Sequence, residues 1–167
     1  RQLFTDRLTH ALRRRDGATE PLFVLFLDLD DFKHVNDGFG HGIGDRLLVA
    51  VAERISGAIR EGDTAARLGG DEFAILMEDA DVASAHEVAL RLLDALAVPV
   101  AVDEHLHPVR ASIGMAVAVP GEATGEETLR NADVAMYWAK DRGKSTVAVY
   151  EAGLHAEALE RMALRGE

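Results

Sequence analysis

The 167-residue sequence predicts an α/β sandwich of the α+β kind: a mixed, mainly antiparallel central sheet of about five strands flanked by helices, with a small hairpin. Two observations carry that expectation. Helical and strand patterns follow one another as helix, strand, helix, paired strands, helix, strands, helix and strand, with no internal repeat or low-complexity segment. The stretch PLFVLFLDL, residues 21–29, is a continuous apolar run of strand length, as a central strand covered on both faces requires.

Leu3, Phe4, Leu8, Ala11 and Leu12 recur at helical spacing, with Asp6 near the start and Gly17 past the end, so a helix is expected over 3–15. The strand over 21–29 is followed by DDFKHVNDGFGHGIGD, residues 30–45, polar and glycine-rich and expected as a loop. A helical period resumes over 46–60, and TAARLGGDEFAILME, residues 64–78, reads as two strands around the Gly69-Gly70 turn. An amphipathic helix is expected over 81–97 with Asp81 as its N-cap. Residues 98–120 read as two or three strands, the last from Val109 to Val119 with its alternation broken at Gly114. His105 and His107 alternate there and are expected on a hairpin surface. A helix over 125–144 and a closing strand over 145–150 complete the domain, and the tail carries Leu154, Ala158 and Met162 along one helical stripe.

Composition bounds what this fold does. Apolar residues make up 48% of the chain and charged residues 28%, the balance of a globular protein. No run of apolar residues is long enough to span a membrane and no leader pattern is present, so no membrane contact and a cytoplasmic location are expected. Cysteine is absent, which removes disulfides and thiolate metal sites. A formal charge of −11 argues against nucleic acid as a partner, because a basic face is needed to replace phosphate counterions. A small anionic ligand stays open to metal ions and a few placed lysines.

The chemistry concentrates where buried strands end in acids. LDLDDFK places Asp28 at the end of the central strand, where α/β folds commonly bind ligands. Of Asp28 and Asp30 only one is expected to serve a given face, the two side chains pointing apart. Asp71 and Glu72 follow the bare Gly69-Gly70 turn on a neighbouring hairpin, and with Asp28 they suit a hard divalent cation such as Mg²⁺ or Mn²⁺ completed by water and substrate phosphates. The glycines let a ligand approach the backbone closely.

The segment GGDEF, Gly69 to Phe73, together with DLDDFKHVNDGFGHGIGD, ASIGMA, ADVAMYWAKDRGK and DRLTHALRRR, resembles the GGDEF family of diguanylate cyclases. The blocks run in family order from about Asp6 to Tyr150, so the resemblance implies a GGDEF domain over 1–150, with a nucleotidyl-cyclase or polymerase-palm-like fold. It implies condensation of two GTP into cyclic di-GMP across a homodimer, with release of two pyrophosphates. Position by position, it implies two Mg²⁺ or Mn²⁺ per site held by Asp28, the Leu29 carbonyl, Asp71 and Glu72. It implies guanine reading by Asn36 and Asp45, phosphate contacts from Lys33 and Lys140, further substrate contacts from Phe32, Gly69, Gly70 and Lys144, and catalytic roles for Asp71, Glu72 and Lys33. An amide beside a carboxylate independently fits guanine's edge, since adenine offers a carboxylate no matching pair of donors.

REGD, Arg60 to Asp63, is separated from Gly69 by five residues and resembles the family's RxxD site, which binds cyclic di-GMP as an inhibitor; Arg91 falls at the spacing of a further arginine used there. His10 and Arg13 depart from the family's glycine and asparagine, and Lys144 stands where arginine is usual, keeping charge without the bidentate fork. Residues 151–167 resemble the helical connector that precedes an EAL-type phosphodiesterase in longer relatives. The competing expectation is a catalytically silent domain that senses GTP or cyclic di-GMP for an attached domain. Such domains typically lose hairpin acids, and Asp71 and Glu72 are both present.

Overall fold

The computed structural model describes residues 1–15, 17, 20–151 and 163–165. Its main sheet has the order β2-β3-β1-β6-β7, built from β1 (Leu22–Leu29), β2 (Thr64–Gly69), β3 (Glu72–Met77), β6 (Ala111–Ala118) and β7 (Val147–Val149). All neighbours pair antiparallel except β6 and β7, which run parallel. The expected mixed, mainly antiparallel sheet is therefore the one observed.

The central strand explains the layering. Alternate residues of a strand face opposite sides. Leu22, Val24 and Phe26 of β1 pack with Phe4, Leu8 and Leu12 of α1 (Gln2–Arg14) and with Leu129 and Met136 of α5 (Gly125–Asp141). Phe23, Leu25, Leu27 and Leu29 pack with Leu47, Val51 and Ile55 of α3 (His41–Ala58) and with Val88 and Leu92 of α4 (Val82–Ala97). Helices thus cover both faces, which is why β1 is apolar along nearly its whole length.

One long expectation is overturned. Residues 30–45 are not a loop: α2 (Phe32–Phe39) and the first turn of α3 occupy most of them. Phe32, Val35 and Phe39 lie three and four apart and give α2 an apolar stripe, and Gly40, at φ +89°, turns the chain between the two helices. Of the other glycines that suggested a loop, Gly38 lies in α2 and Gly42 and Gly44 in α3, the last for a packing reason described below.

Elsewhere the elements fall close to expectation. Asp81 caps α4, accepting at Oδ1 from the Ser84 backbone N–H at 2.7 Å. The hairpin of β4 (Val100–Val102) and β5 (His105–His107) turns through Asp103 and Glu104, at φ 51° and 67°, the geometry of a tight two-residue hairpin. His107 is buried rather than on the hairpin surface, its ring 4.8 Å edge-on from Phe39. Gly114 breaks the alternation of β6 because α5 lies directly against it: a Cβ there would stand 2.0 Å from the Ala132 carbonyl oxygen and 2.1 Å from the Met136 nitrogen. Of the connector expected over 151–167, residues 152–162, 166 and 167 lie outside the described residues. Among the described residues no helix is long and apolar enough to cross a membrane.

Candidate functional site

The site forms at the end of β1 where the β2–β3 turn meets it. Gly69 ends β2 at φ +141° and Gly70 follows at φ +51°, conformations that side chains rarely adopt, with open space beside both α-carbons. The register slips by one residue between Arg67 and Gly69, and Gly69 then pairs with Glu72, leaving Gly70 and Asp71 at the tip. Arg67 Nε donates to the Gly70 carbonyl at 2.9 Å and pins the turn. The Leu29 N–H donates to the Asp71 carbonyl at 3.1 Å, so the tip is tied to the end of β1.

Asp28 lies opposite Glu72 on β3 and opposite Ser112 on β6. The expectation that Asp28 and Asp30 point apart is corrected. Residues two apart on a strand share a face, and Lys140 Nζ stands 3.5 Å from Asp28 Oδ2 and 3.5 Å from Asp30 Oδ1. Asp30 is nonetheless already satisfied, accepting from Ser112 Oγ at 2.7 Å and from the Ser145 N–H at 3.0 Å. Asp28 is therefore the carboxylate left to a ligand.

Its electrostatics are unusual. The Asp28 carboxyl is raised to about 7: burial is the largest cause, Lys140 opposes it, and the charges of Asp71 and Glu72 and a hydrogen bond with Asp71 add to the rise. Crowding carboxylates in a half-dry site is costly, and a bound divalent cation offsets that cost. The donor chemistry of Asp28, Asp71 and Glu72 fits a hard divalent ion. Among the described residues no three acid or imidazole side chains converge tightly enough to hold one alone. An ion here would thus draw part of its coordination from water and phosphate.

The lysines and the base-reading pair surround this centre. Lys140, on the last turn of α5, sits over Asp28 and Asp30; Lys144, beyond the helix, bonds Asp31 Oδ1 at 2.8 Å; Lys33, in the first turn of α2, is exposed. Phe32 opens α2 with its ring buried, so its backbone N–H, not its side chain, is the group able to meet a phosphate. Asn36 is half-buried on α2 and Asp45 exposed on α3, on the other side of the sheet from Lys140 and Glu72. A bound nucleotide would have to straddle the sheet end, base on one side and phosphates over the turn.

Sequence reasoning missed three polar neighbours. Ser112 orients Asp30. Arg1 Nη2 reaches Glu72 Oε2 at 3.4 Å while its guanidinium lies 5.5 Å over the Phe26 ring. Asp133 has its pKa raised by burial, with Arg1 lowering it and Glu72 raising it. Asp133 could have been found by period alone, standing seven residues, two helical turns, before Lys140.

At the far end of α3, Arg60 and Asp63 close a turn on each other. Asp63 accepts from the Arg60 N–H at 2.9 Å and from its guanidinium at 3.2 and 3.3 Å, with only 2% of the Asp63 side chain exposed. Arg91 Nε donates to the Ala58 carbonyl at 2.7 Å. The structure thus brings Arg60, Asp63 and Arg91 to one edge, away from the acid-bearing turn.

Comparison with known proteins agrees with this geometry. The family model "Diguanylate cyclase, GGDEF domain" matches residues 1–146. The bifunctional diguanylate cyclase/cyclic di-GMP phosphodiesterase MucR of Pseudomonas aeruginosa is 43% identical over 165 residues, covering 98% of this chain and 24% of MucR. The chain thus spans about a quarter of that relative's length. The crystal structure of the GGDEF domain of PA1120 (YfiN or TpbB) from Pseudomonas aeruginosa superposes with a TM-score of 0.85 at 40% identity, over 90% of this chain and 95% of that one. The GGDEF domain of DgcB from Caulobacter crescentus, solved in complex with c-di-GMP, gives 0.82 at 28% identity over 89% of each chain. The chain belongs to the GGDEF family, the diguanylate cyclase class of nucleotidyltransferase domains.

Proposed function

We propose that this domain condenses two molecules of GTP into cyclic di-GMP, releasing two pyrophosphates, when two copies face each other with one nucleotide apiece. The observation that carries the reading is the turn itself: Asp71 and Glu72 stand beside Asp28, whose carboxyl is raised to about 7 by burial and by its neighbours' charge. Such a site is poised for cations and for the phosphates they bring.

Asp28, Asp71, Glu72 and the Leu29 carbonyl would hold Mg²⁺ or Mn²⁺, two per site. When bound, such ions lower the pKa of a ribose 3′-hydroxyl and offset charge at the α-phosphate. The chain's own groups do the rest. Gly69 and Gly70 leave room for the triphosphate, and Lys33, the Phe32 N–H, Lys140 and Lys144 balance its charge. Lys140 already shares itself between Asp28 and Asp30, so it keeps these acids compatible before any ligand arrives. Asn36 and Asp45 select guanine. Because each domain orients one GTP, its 3′-hydroxyl needs the α-phosphate held by the other copy, so a homodimer is required.

Arg60 and Arg91 would bind product at the opposite edge, with Asp63 holding Arg60 in place, and so limit accumulation. The cyclic di-GMP complex of the related DgcB domain supports product as a ligand for this fold. The name of MucR, which joins cyclase and phosphodiesterase, supports residues 151–167 as a connector toward an EAL domain in the parent protein. A GTP-consuming signalling domain of this kind belongs in the cytoplasm.

The test is the nucleotide product. Purified domain, fused to a dimerising coiled coil and given GTP with Mg²⁺, is expected to form cyclic di-GMP, and chelation by EDTA to abolish it. Absence of cyclic di-GMP from the forced dimer contradicts the reading.

A further inference from the structure

Gly44 lies inside α3, four residues into an 18-residue helix, where glycine is the poorest choice after proline. Its backbone is ordinary helix, with no positive φ to justify the residue. The reason is on the neighbouring helix. A Cβ at position 44 would stand 1.8 Å from Asn36 Oδ1, 3.0 Å from Asn36 Cγ and 3.4 Å from Phe32 Cζ. Asn36 and a side chain at 44 cannot both occupy that space.

The surrounding bonds keep this close approach in place. The Gly40 N–H donates to the Asn36 carbonyl at 2.9 Å and closes α2, and the Gly44 N–H donates to the Gly40 carbonyl at 3.2 Å and opens α3. Gly40 therefore folds the two helices together with Asn36 above Gly44. The buried Phe32 ring forms the second wall. Among the described residues the Asn36 side-chain amide makes no hydrogen bond, so its donors and acceptor are unspent although half its surface is covered. The residue after Gly44 is Asp45, the other group assigned to guanine.

We infer that Gly44 is a specificity-determining positioning residue: the space it leaves seats the Asn36 amide beside Asp45 and fixes the pair that discriminates guanine from adenine. The inference rests on the GTP reading of this site and adds the residue that orients its base-reading amide. Gly44 touches no substrate; it acts through Asn36. A methyl group at position 44 pushes the amide out of its seat, and the amide–carboxylate pair then loses the spacing that guanine's edge requires.

The experiment is a double-mutant cycle on the intact chain with Gly44→Ala, Asn36→Ala and the two combined. Calorimetry uses a non-hydrolysable GTP analogue and its ATP counterpart in Mg²⁺, and urea unfolding is measured on the same proteins. Gly44→Ala is expected to weaken GTP-analogue binding about tenfold or more, approaching Asn36→Ala, while weak ATP-analogue binding changes less than twofold. In the Asn36→Ala background, Gly44→Ala is expected to cause no further loss and to raise the unfolding midpoint, since alanine is then free to act as a helix former. Wild-type selectivity in Gly44→Ala, or losses that multiply in the double variant, overturn the assignment. Wild type that binds neither analogue overturns the GTP reading instead, and the unfolding cycle then decides the packing claim by itself: additive midpoints contradict it.

Discussion

Asp133 shows how a single carboxylate records its surroundings. Burial raises its pKa, and Glu72 adds to the rise while Arg1 opposes it. The native state then holds the proton more tightly than the unfolded chain, so ionisation costs stability as pH climbs from the unfolded value, near 4, through the folded one. Asp133→Asn is expected to raise the urea midpoint at pH 7.5, with the gain shrinking as pH falls toward and below the unfolded value, where both states become protonated. A gain that is equal at both pH values contradicts the assigned cause. Much of the residue-level site was legible before the structure. Asp28, Asp71 and Glu72 were readable as acids at a strand end and a turn, and Lys140 only through the family resemblance; the structure brings Lys140 to Asp28. What was not legible was partnership: nothing in the order of residues says that Ser112 and Ser145 bond Asp30 while Asp28 is left to Lys140 and Asp71. The direction of Asp30 was misjudged because the period of a strand places it with Asp28, not against it.

Among the elements, the α5–β6 contact is the tightest constraint. Gly114 is open to no side chain, with backbone atoms of α5 at about 2 Å from where a Cβ would lie. Backbone cannot rotate aside as a side chain does, so Gly114→Ala is expected to destabilise the domain by about 3 kcal/mol or more. Gly57, exposed on α3 with nothing within 4 Å, makes the control, and Gly57→Ala is expected to stabilise by about 0.5–1 kcal/mol. Denaturant midpoints check both, and equal effects would refute the packing account. The break in alternation at Gly114 was visible in the sequence; its cause, a helix lying on the strand, was not. The same limit explains α2. Glycine and polar residues over 30–45 outweighed Phe32 and Val35, because the partner that rewards a short helix for burying them is α3, known only from the fold.

At the scale of the whole molecule, the proposed function assigns different tasks to two distant edges of the domain. The acid turn is where β1 and the β2–β3 hairpin end, and the Arg60 edge is where α3 ends, so α3 runs from the Asn36–Asp45 region to the proposed product site. Arg60→Ala is expected to leave initial rates of cyclic di-GMP formation within about twofold and to raise the level at which product accumulation stops. Progress curves with added cyclic di-GMP check it, and unchanged inhibition would remove the assigned site. That the two segments lie apart was expected from the spacing of REGD and GGDEF, whereas the inward turn of Asp63 onto Arg60 was not legible.

The central claim is that the acids on the glycine turn convert bound GTP into joined nucleotides. It is tested most directly by comparing Asp71→Asn with the wild-type domain, both as forced dimers, for GTP binding and for cyclic di-GMP formed with Mg²⁺. The account predicts folded Asp71→Asn protein that retains guanine selectivity but loses product formation by at least about a hundredfold. Cyclic di-GMP formation at the wild-type rate by Asp71→Asn would contradict it.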